Sequence, residues 1–296
     1  MVEQCPICRE KAVHLYPGEI LLDKHCNVFS CGKCGMVFLK RGSEEKEFAR
    51  QDLYWKGNAQ EDIYSDRDVE RAFYKTFTRY LADIESCVLG RRLLDIGCGT
   101  GIFLQVARDR GWDCCGIDIS PHAVELARGR LGVPIEAGKL ENGLFANERF
   151  DVVTMWDVIE HLDDPVKMLQ EVYHRLNPGG LFIAETPDEE FLVRTLVKLF
   201  YRAGVGIAQF FPKYFYYQDH LFYFSLRSLS RLLQASGPFT IIKVQHLSTV
   251  WPFLKKKLHI SYSHKSRYFY KVIPYLLYIA SIAGVRNKIL VYARKK

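Results

Sequence analysis

The stretch Leu93-Leu94-Asp95-Ile96-Gly97-Cys98-Gly99-Thr100-Gly101 constrains this chain more than any other. Leu93 and Leu94 end an apolar, strand-like run, and Ile102-Phe103-Leu104-Gln105-Val106-Ala107 opens a helical pattern. Three glycines therefore fall at a strand-to-helix turn, where an open α/β sheet takes its ligand. Glycine there admits left-handed dihedrals and lets a ligand approach the backbone. The spacing is G-x-G-x-G. A dinucleotide loop needs its third glycine one residue later, and a phosphate loop needs Gly-Lys-Ser/Thr; the chain has neither. Asp95 stands just before the turn. A ligand carrying an ammonium and a sulfonium suits that carboxylate, whereas a pyrophosphate does not.

Further motifs follow in order. Asp113-Cys114-Cys115-Gly116-Ile117-Asp118 reads as a second strand ending in a carboxylate, 23 residues after Asp95. A carboxylate about 20 residues past the loop is placed to accept both ribose hydroxyls of a nucleoside. Ser120-Pro121 starts a helix, with serine as N-cap and proline in the first turn. Phe150–Trp156 reads as another strand, followed by the loop Asp157-Val158-Ile159-Glu160-His161-Leu162-Asp163-Asp164-Pro165. Leu176-Asn177-Pro178-Gly179-Gly180 reads as a helix stop and turn, and Leu181–Pro187 as a strand. The alternation of strands and helices from 91 to 186 demands a parallel sheet. Phe73, Phe77, Tyr80, Leu81 and Ile84 fall at helical spacing, on a helix expected to cover the ligand from above.

Together these motifs resemble the class I S-adenosylmethionine-dependent methyltransferases, most closely the ubiquinone-biosynthesis-like O-methyltransferases and their glycan-cluster relatives. The resemblance covers residues 70–245 and the final strand, and His220–Ser225 with Leu226, Leu229, Leu232 and Leu233 resembles the segment before the last helix. It implies an α/β, Rossmann-like seven-stranded methyltransferase sheet. Phe239–Val244 and Lys288–Arg294 would be its closing strands, one of them antiparallel. It implies S-adenosylmethionine as cofactor. Asp95, Gly97, Gly99 and Gly101, with Cys98 inside the same loop, would hold the methionine part. Asp118 would bind the ribose, and Ile119 would lie against adenine. Met155 and Trp156 would lie near the methyl donor. Many relatives carry an acidic residue after the third strand, near the adenine amine. This chain has Lys139 there, so backbone contacts from Lys139 and Leu140 are expected to serve instead.

The N-terminus carries a separate signal. Cys5-x-x-Cys8 and Cys31-x-x-Cys34 are separated by 22 residues. Two such knuckles suit a tetrahedral four-thiolate zinc site of the ribbon type; the alternative, a redox C-x-x-C pair, is disfavoured because neither knuckle lies in a βαβ unit. Val13–Tyr16, Val28–Ser30 and Val37–Leu39 are its expected strands. About 40 residues cannot bury enough apolar surface alone, so the metal supplies folding energy. A closed four-thiolate site has no open position, so the zinc is structural. Neither His25 nor Cys26 is spaced to replace a ligand. The expected organisation is a zinc ribbon over 1–40, a charged linker over 41–70 and the methyltransferase domain over 71–296, with lid or insert segments at 188–219 and 247–285.

Charge and composition narrow the partners. From His220 to Lys296 there are 14 Lys and Arg and no Asp or Glu, which leaves 27 basic and 34 acidic side chains before it. The net +7 of the chain thus belongs to its C-terminal quarter, which suggests an anionic partner such as a membrane surface or a charged substrate. The two insert segments combine apolar bodies with cationic and aromatic residues. That composition suits a lid over the substrate and equally an interfacial helix. A lid that is also a membrane surface fits a lipid-linked acceptor. No secretory signal precedes Cys5, no apolar run reaches the ~18–20 residues that span a bilayer, and the nine cysteines suit a reducing compartment. A cytoplasmic protein, peripheral at the inner membrane face where its lid touches lipid, is expected.

For the chemistry, a hydroxyl acceptor must lose a proton as it attacks, and histidine is tuned for this near neutral pH. His161, after the fourth strand, is the first candidate base, and His220, before the last helix, the second. Glu160, Asp163 and Asp164 are candidate ligands for a divalent cation, although Asp163-Asp164-Pro165 equally suits a helix cap. The favoured reading is methyl transfer to a hydroxyl of a small or lipid-linked acceptor, glycan or quinol in type. N- or C-methylation on the same scaffold stays open, because fold does not fix the acceptor. An RNA-directed protein using the ribbon and basic tail is disfavoured. Met155-Trp156-Asp157-Val158 stands where such enzymes often carry Asn/Asp-Pro-Pro-Tyr. A catalytically silent binding module is disfavoured by the intact Asp95, glycine turn and Asp118.

Overall fold

The computed structural model describes residues 2–16, 26–41, 66–204, 216, 220–250, 252–253, 255–256 and 286–296. Its centre is a seven-stranded sheet. In spatial order it runs β11 (Phe239–Leu247), β12 (Lys288–Lys295), β9 (Leu176–Pro187), β8 (Phe150–Trp156), β5 (Arg92–Ile96), β6 (Asp113–Asp118) and β7 (Ile135–Ala137). From β9 to β7 every neighbouring pair is parallel. β12 is antiparallel to both β9 and β11, so one closing strand is reversed, as expected. The chain order reverses direction at β5, which pairs β6 on one side and β8 on the other. The crevice beyond the carboxyl end of β5 is therefore the topological switch point.

Helices cover both faces. The first, α1 (Arg67–Glu85), buries Val69, Phe73, Phe77, Tyr80, Leu81 and Ile84 along one stripe. It begins within the stretch expected to be linker, because the Asp66 carboxylate caps it by accepting from the Asp68 and Val69 amides. α2 (Ile102–Asp109) follows the glycine turn, and α3 (Pro121–Leu131) is capped by Ser120 as its sequence predicts. α4 (Pro165–Arg175) is capped by Asp164, whose Oδ1 accepts from the Lys167 amide. The chain then passes from Arg175 directly into β9 with no intervening loop; the expected turn is an irregularity within the strand between its pairings with Phe150 and Val152. α5 (Leu192–Arg202) and α6 (Leu226–Ser236) follow.

The N-terminal cysteines lie on a second, five-stranded antiparallel sheet: β1 (Val2–Gln4), β2 (Lys11–Tyr16), β3 (Cys26–Cys31), β4 (Val37–Arg41) and β10 (Phe222–Tyr223). The last of these strands comes from the far end of the chain. The ribbon is not a bead on a tether: Cys5, Cys31, Cys34, Met36 and Phe38 pack into the same apolar cluster as Ile159, Phe222 and Phe224. Residues 42–65 of the expected linker lie outside the described residues, as do 205–215, 217–219 and 257–285 of the expected insert segments.

Candidate active site

The glycine turn is shaped by sterics as well as by any ligand. Gly97, Gly99 and Gly101 all have positive φ, at 72°, 53° and 81°. A Cβ on Gly97 would meet Val158 Cγ2 at 2.3 Å, and one on Gly101 would meet Leu131 Cδ1 at 2.4 Å. Both glycines are thus demanded by close packing and by dihedral. The Cys98 thiol lies against Gly116, where a Cβ would stand 2.8 Å from Sγ, so this residue offers the crevice only its backbone.

Two buried carboxyl groups flank the turn. Asp118 Oδ2 accepts from the Gly99 amide at 2.8 Å and Oδ1 from the Ser120 amide at 2.9 Å. Burial raises its carboxyl above the usual range, against the pull of those two amides. Asp95 is 1% exposed, and its Oδ1 accepts from Thr154 Oγ1 at 2.7 Å. Burial pushes its carboxyl up to about 8; the Thr154 hydroxyl opposes this and the charge of Asp118 adds to it. Two carboxyls held this way at a water-poor turn await positive charge and hydroxyl donors.

The remaining expected ligand contacts are scattered around the same edge. Ile119 is half-buried and Met155 and Leu140 are fully buried, so Leu140 belongs to the core rather than to a pocket wall. Lys139 reaches Asp163 Oδ2 at 3.3 Å. Trp156 sits in a box of aromatic rings: Tyr80 stacks at 5.5 Å, and Phe77 and Phe103 approach at 5.1 and 4.8 Å. Its Nε1 is buried with no hydrogen-bond partner among the described residues. The box lies where α1 crosses the end of β8.

Beyond Trp156 the chain turns sharply. Asp157 has φ +53°, an uncommon conformation for a residue other than glycine, and such strain clusters at functional sites. One Asp157 oxygen is bonded by the Lys288 ammonium, and Lys288 also reaches Glu185 at 2.6 Å. Burial alone would lower the lysine, but the Asp157 and Glu185 carboxylates outweigh it and hold the ammonium well above the ordinary lysine range. Lys288 is therefore a fixed cation and not a base. The other Asp157 oxygen is buried without a hydrogen-bond partner among the described residues.

His161 and His220 come together here. Glu160 is fully buried; its Oε2 accepts from Thr186 at 2.9 Å, and its Oε1 has no hydrogen-bond partner among the described residues. Burial first, and then the Asp157 charge, push its carboxyl up to about 8. One ligand atom each from Glu160, His161 and His220 lies within 4.8 Å of the others. Asp163 and Asp164 do not join them. The first is engaged with Lys139 and the second caps α4, so of the three acids considered from sequence only Glu160 is at the site.

At the ribbon, single ligand atoms of Cys5, Cys8, Cys31 and Cys34 also lie within 4.8 Å of one another. Sγ–Sγ separations are 3.5 Å for Cys5–Cys34 and for Cys8–Cys31. That is close to the ~3.8 Å edge of a tetrahedron with zinc–sulfur bonds of about 2.3 Å. Burial pushes the Cys5 thiol up to about 11.

Several residues of this edge carry no strong sequence signal. Asp157 directly follows Trp156 and is legible as a strand-end acid, but Lys288 lies 131 positions away and Glu185 faces it from β9.

Comparison with known proteins fits this geometry. A methyltransferase domain family model matches residues 65–244. The ubiquinone biosynthesis O-methyltransferase of Schizosaccharomyces pombe is 32% identical over 118 residues, 38% of this chain and 43% of that protein. The ubiquinone biosynthesis O-methyltransferase of Cereibacter sphaeroides is 37% identical over 102 residues, 33% of this chain and 41% of that protein. The chain thus spans well under half the length of these relatives. Among solved structures, the magnesium protoporphyrin IX methyltransferase of Synechocystis with bound SAH matches with a TM-score of 0.56 at 15% identity, over 85% of this chain and 100% of that one. A SAM-dependent methyltransferase of Thermotoga maritima matches with a TM-score of 0.52 at 22% identity, over 85% of this chain and 100% of that one. With the family model running over more than half of its residues, the chain belongs to the methyltransferase domain family, in its class I, S-adenosylmethionine-dependent architecture.

Proposed function

We propose that this protein transfers a methyl group from S-adenosylmethionine to a hydroxyl of a small or lipid-linked acceptor, glycan or quinol in type. The observation that carries the reading is the pair of buried carboxyls, Asp95 and Asp118, on either side of the glycine turn at the switch point of the sheet. The cofactor supplies an electrophilic methyl on a positively charged sulfur. Asp118 takes the ribose hydroxyls and Asp95 the cationic methionine end. The backbone of Gly97, Cys98, Gly99 and Gly101 lines the turn. Ile119 and the Lys139–Leu140 backbone flank the adenine, while Met155 and Trp156 stand beside the methyl.

The acceptor oxygen attacks the methyl carbon in line as the carbon–sulfur bond breaks, and the electron pair of that bond stays on sulfur. The acceptor proton passes to an imidazole nitrogen of His161 or His220, whose edge-to-face packing holds both at one place. The Lys288 ammonium, fixed between Asp157 and Glu185, holds the strained turn that leads from Trp156 to His161. The names of the O-methyltransferase relatives support a hydroxyl acceptor over a nitrogen or carbon one.

A divalent cation at this edge is a second reading, favoured by Glu160 Oε1, which has no hydrogen-bond partner among the described residues, beside His161 and His220. Such an ion would be held by those three residues and would polarise the acceptor oxygen. Zinc at Cys5, Cys8, Cys31 and Cys34 is structural in this account.

Contact with an anionic membrane surface is supported by α5. Leu199 and Phe200 are 59% and 48% exposed, beside exposed Leu192 and Leu196. No described helix is long and apolar enough to cross a membrane. The test of the whole reading is binding of S-adenosylmethionine and S-adenosylhomocysteine, followed by a methylation screen of polyphenols, quinol precursors and lipid-linked glycans.

A further inference from the structure

Residues 220–224 bend at Leu221 and run extended from Phe222 to Phe224, with a different partner on each side. On one edge is the ribbon. Phe222 pairs with Phe38, Tyr223 pairs with Val37, and the Leu39 amide donates to the Leu221 carbonyl at 2.8 Å. On the other edge are the loops that follow β8 and β9. The Leu221 amide donates to the Glu160 carbonyl at 2.8 Å, the Glu189 amide donates to the Phe224 carbonyl at 2.8 Å, and Phe224 bridges Asp188. His220 is the first residue of this segment. Its ring packs against that of His161.

The ribbon edge of this clamp is built directly on the second cysteine knuckle. The Cys31 amide donates to the Met36 carbonyl and the Gly35 amide to the Cys31 carbonyl, which turns the chain into β4. Arg227, at the start of α6, donates to the Lys33 carbonyl inside the same knuckle. Beneath the clamp, Cys5, Cys31, Cys34 and Phe38 share one apolar cluster with Ile159, Phe222 and Phe224. Metal–thiolate bonds would add folding energy to the two knuckles on top of that shared packing. The cofactor turn is held chiefly from elsewhere: the Gly97 and Cys98 amides donate to the Ile117 carbonyl of β6 and Gly101 packs on Leu131 of α3, while its contact with the loop after β8 is the Val158 side chain against Gly97.

We propose that the four-thiolate metal holds β4 as a template for residues 220–224, and through them keeps His220 and the Glu160 loop in register, so that loss of the metal disarms the acceptor side while the cofactor side stays competent. His220 is then a residue positioned by the ribbon, and the ribbon is a metal-dependent arm of the active site. The inference rests on the methyltransferase reading for what His220 does there, but the coupling itself is measurable without any acceptor.

The experiment is amide hydrogen exchange on the full chain, zinc-loaded and after chelation, with S-adenosylhomocysteine titrated into both. The expected result is exchange about tenfold faster or more in peptides covering 220–224 and 159–161 after chelation. Peptides covering 95–101 and 116–120 keep their protection, and the dissociation constant for S-adenosylhomocysteine changes less than about threefold, within one RT-scale step. Unchanged protection of 220–224 while 26–41 loses its own overturns the proposal, as does equal loss of protection across 95–101. A second variant tests the link with the metal in place. Leu39→Pro removes the amide that donates to Leu221; with zinc still bound, 220–224 should exchange faster, and unchanged exchange overturns the proposal. Absence of S-adenosylhomocysteine binding to the zinc-loaded protein would count against the function proposed above and leave the exchange result to decide the coupling.

Discussion

The imidazoles of His161 and His220 meet edge to face with 4.8 Å between ring centroids, one on the loop after β8 and the other two residues before the strand that joins the ribbon. A base on either ring is therefore oriented by the other, and the buried Glu160 carboxyl completes the group. Replacing either histidine with alanine should lower turnover by about 10²–10⁴-fold, the usual share of general base catalysis. Affinity for S-adenosylmethionine should stay unchanged. Steady-state kinetics on an accepted hydroxyl, set beside calorimetry of cofactor binding, checks both halves. Unaltered turnover in both variants would remove the histidines from the mechanism.

Asp95 predicts a pH dependence. Its carboxyl is raised to about 8 by burial, so below that pH the empty site holds it largely protonated. A carboxyl whose folded value is raised binds more protons folded than unfolded, so its contribution to stability of the empty protein is present at low pH and fades as pH rises towards 8. A cationic ligand prefers the ionised form and must expel the proton. Affinity for S-adenosylmethionine should therefore rise from pH 6 to 8 and then level, with proton release visible as a dependence of the binding heat on buffer. Asp95→Asn should flatten the slope and weaken binding at pH 8.

Gly97 tests the packing of the turn independently of chemistry. An added methyl would meet Val158 Cγ2 at 2.3 Å on a backbone with φ +72°. Gly97→Ala should cost about 1–3 kcal/mol in denaturant unfolding through overpacking. Adding Val158→Ala should recover part of that loss, because the clash partner is a side chain.

Much of this architecture is legible in the sequence, for identifiable reasons. The glycine turn, Asp118 and the Ser120 cap are local signals, and Leu93–Leu94, Val152–Val153 and Leu181–Ala184 give three of the parallel strands an apolar run, whereas Ile135–Ala137 is too short and mixed to carry one. The strand Phe222–Tyr223 was not legible as part of the ribbon, since two residues carry no periodicity and their partners Val37 and Phe38 lie far away in sequence. Lys288 gave no warning either: a lysine at the head of a strand normally points to solvent, and only the fold brings Asp157 and Glu185 to neutralise it. Asp163 and Asp164 illustrate the converse. Their clustering with Glu160 suggests a metal site, but one is engaged by Lys139 and the other by a helix amide.

The exposed face of α5 predicts lipid contact. Leu199→Asp and Phe200→Asp place charge on positions that are already open to solvent, so the melting temperature should stay unchanged. Co-sedimentation with phosphatidylglycerol vesicles should fall sharply in both variants. Equal sedimentation of variants and wild type would exclude α5 as the contact.

The most direct test of the account is calorimetric titration of S-adenosylmethionine and S-adenosylhomocysteine into the zinc-loaded wild type and into Asp118→Ala. Saturable one-to-one binding by the wild type, weakened about tenfold or more when the buried carboxylate is removed, is the predicted result. A folded, zinc-loaded protein that binds neither molecule, or binds both equally well without Asp118, would contradict it.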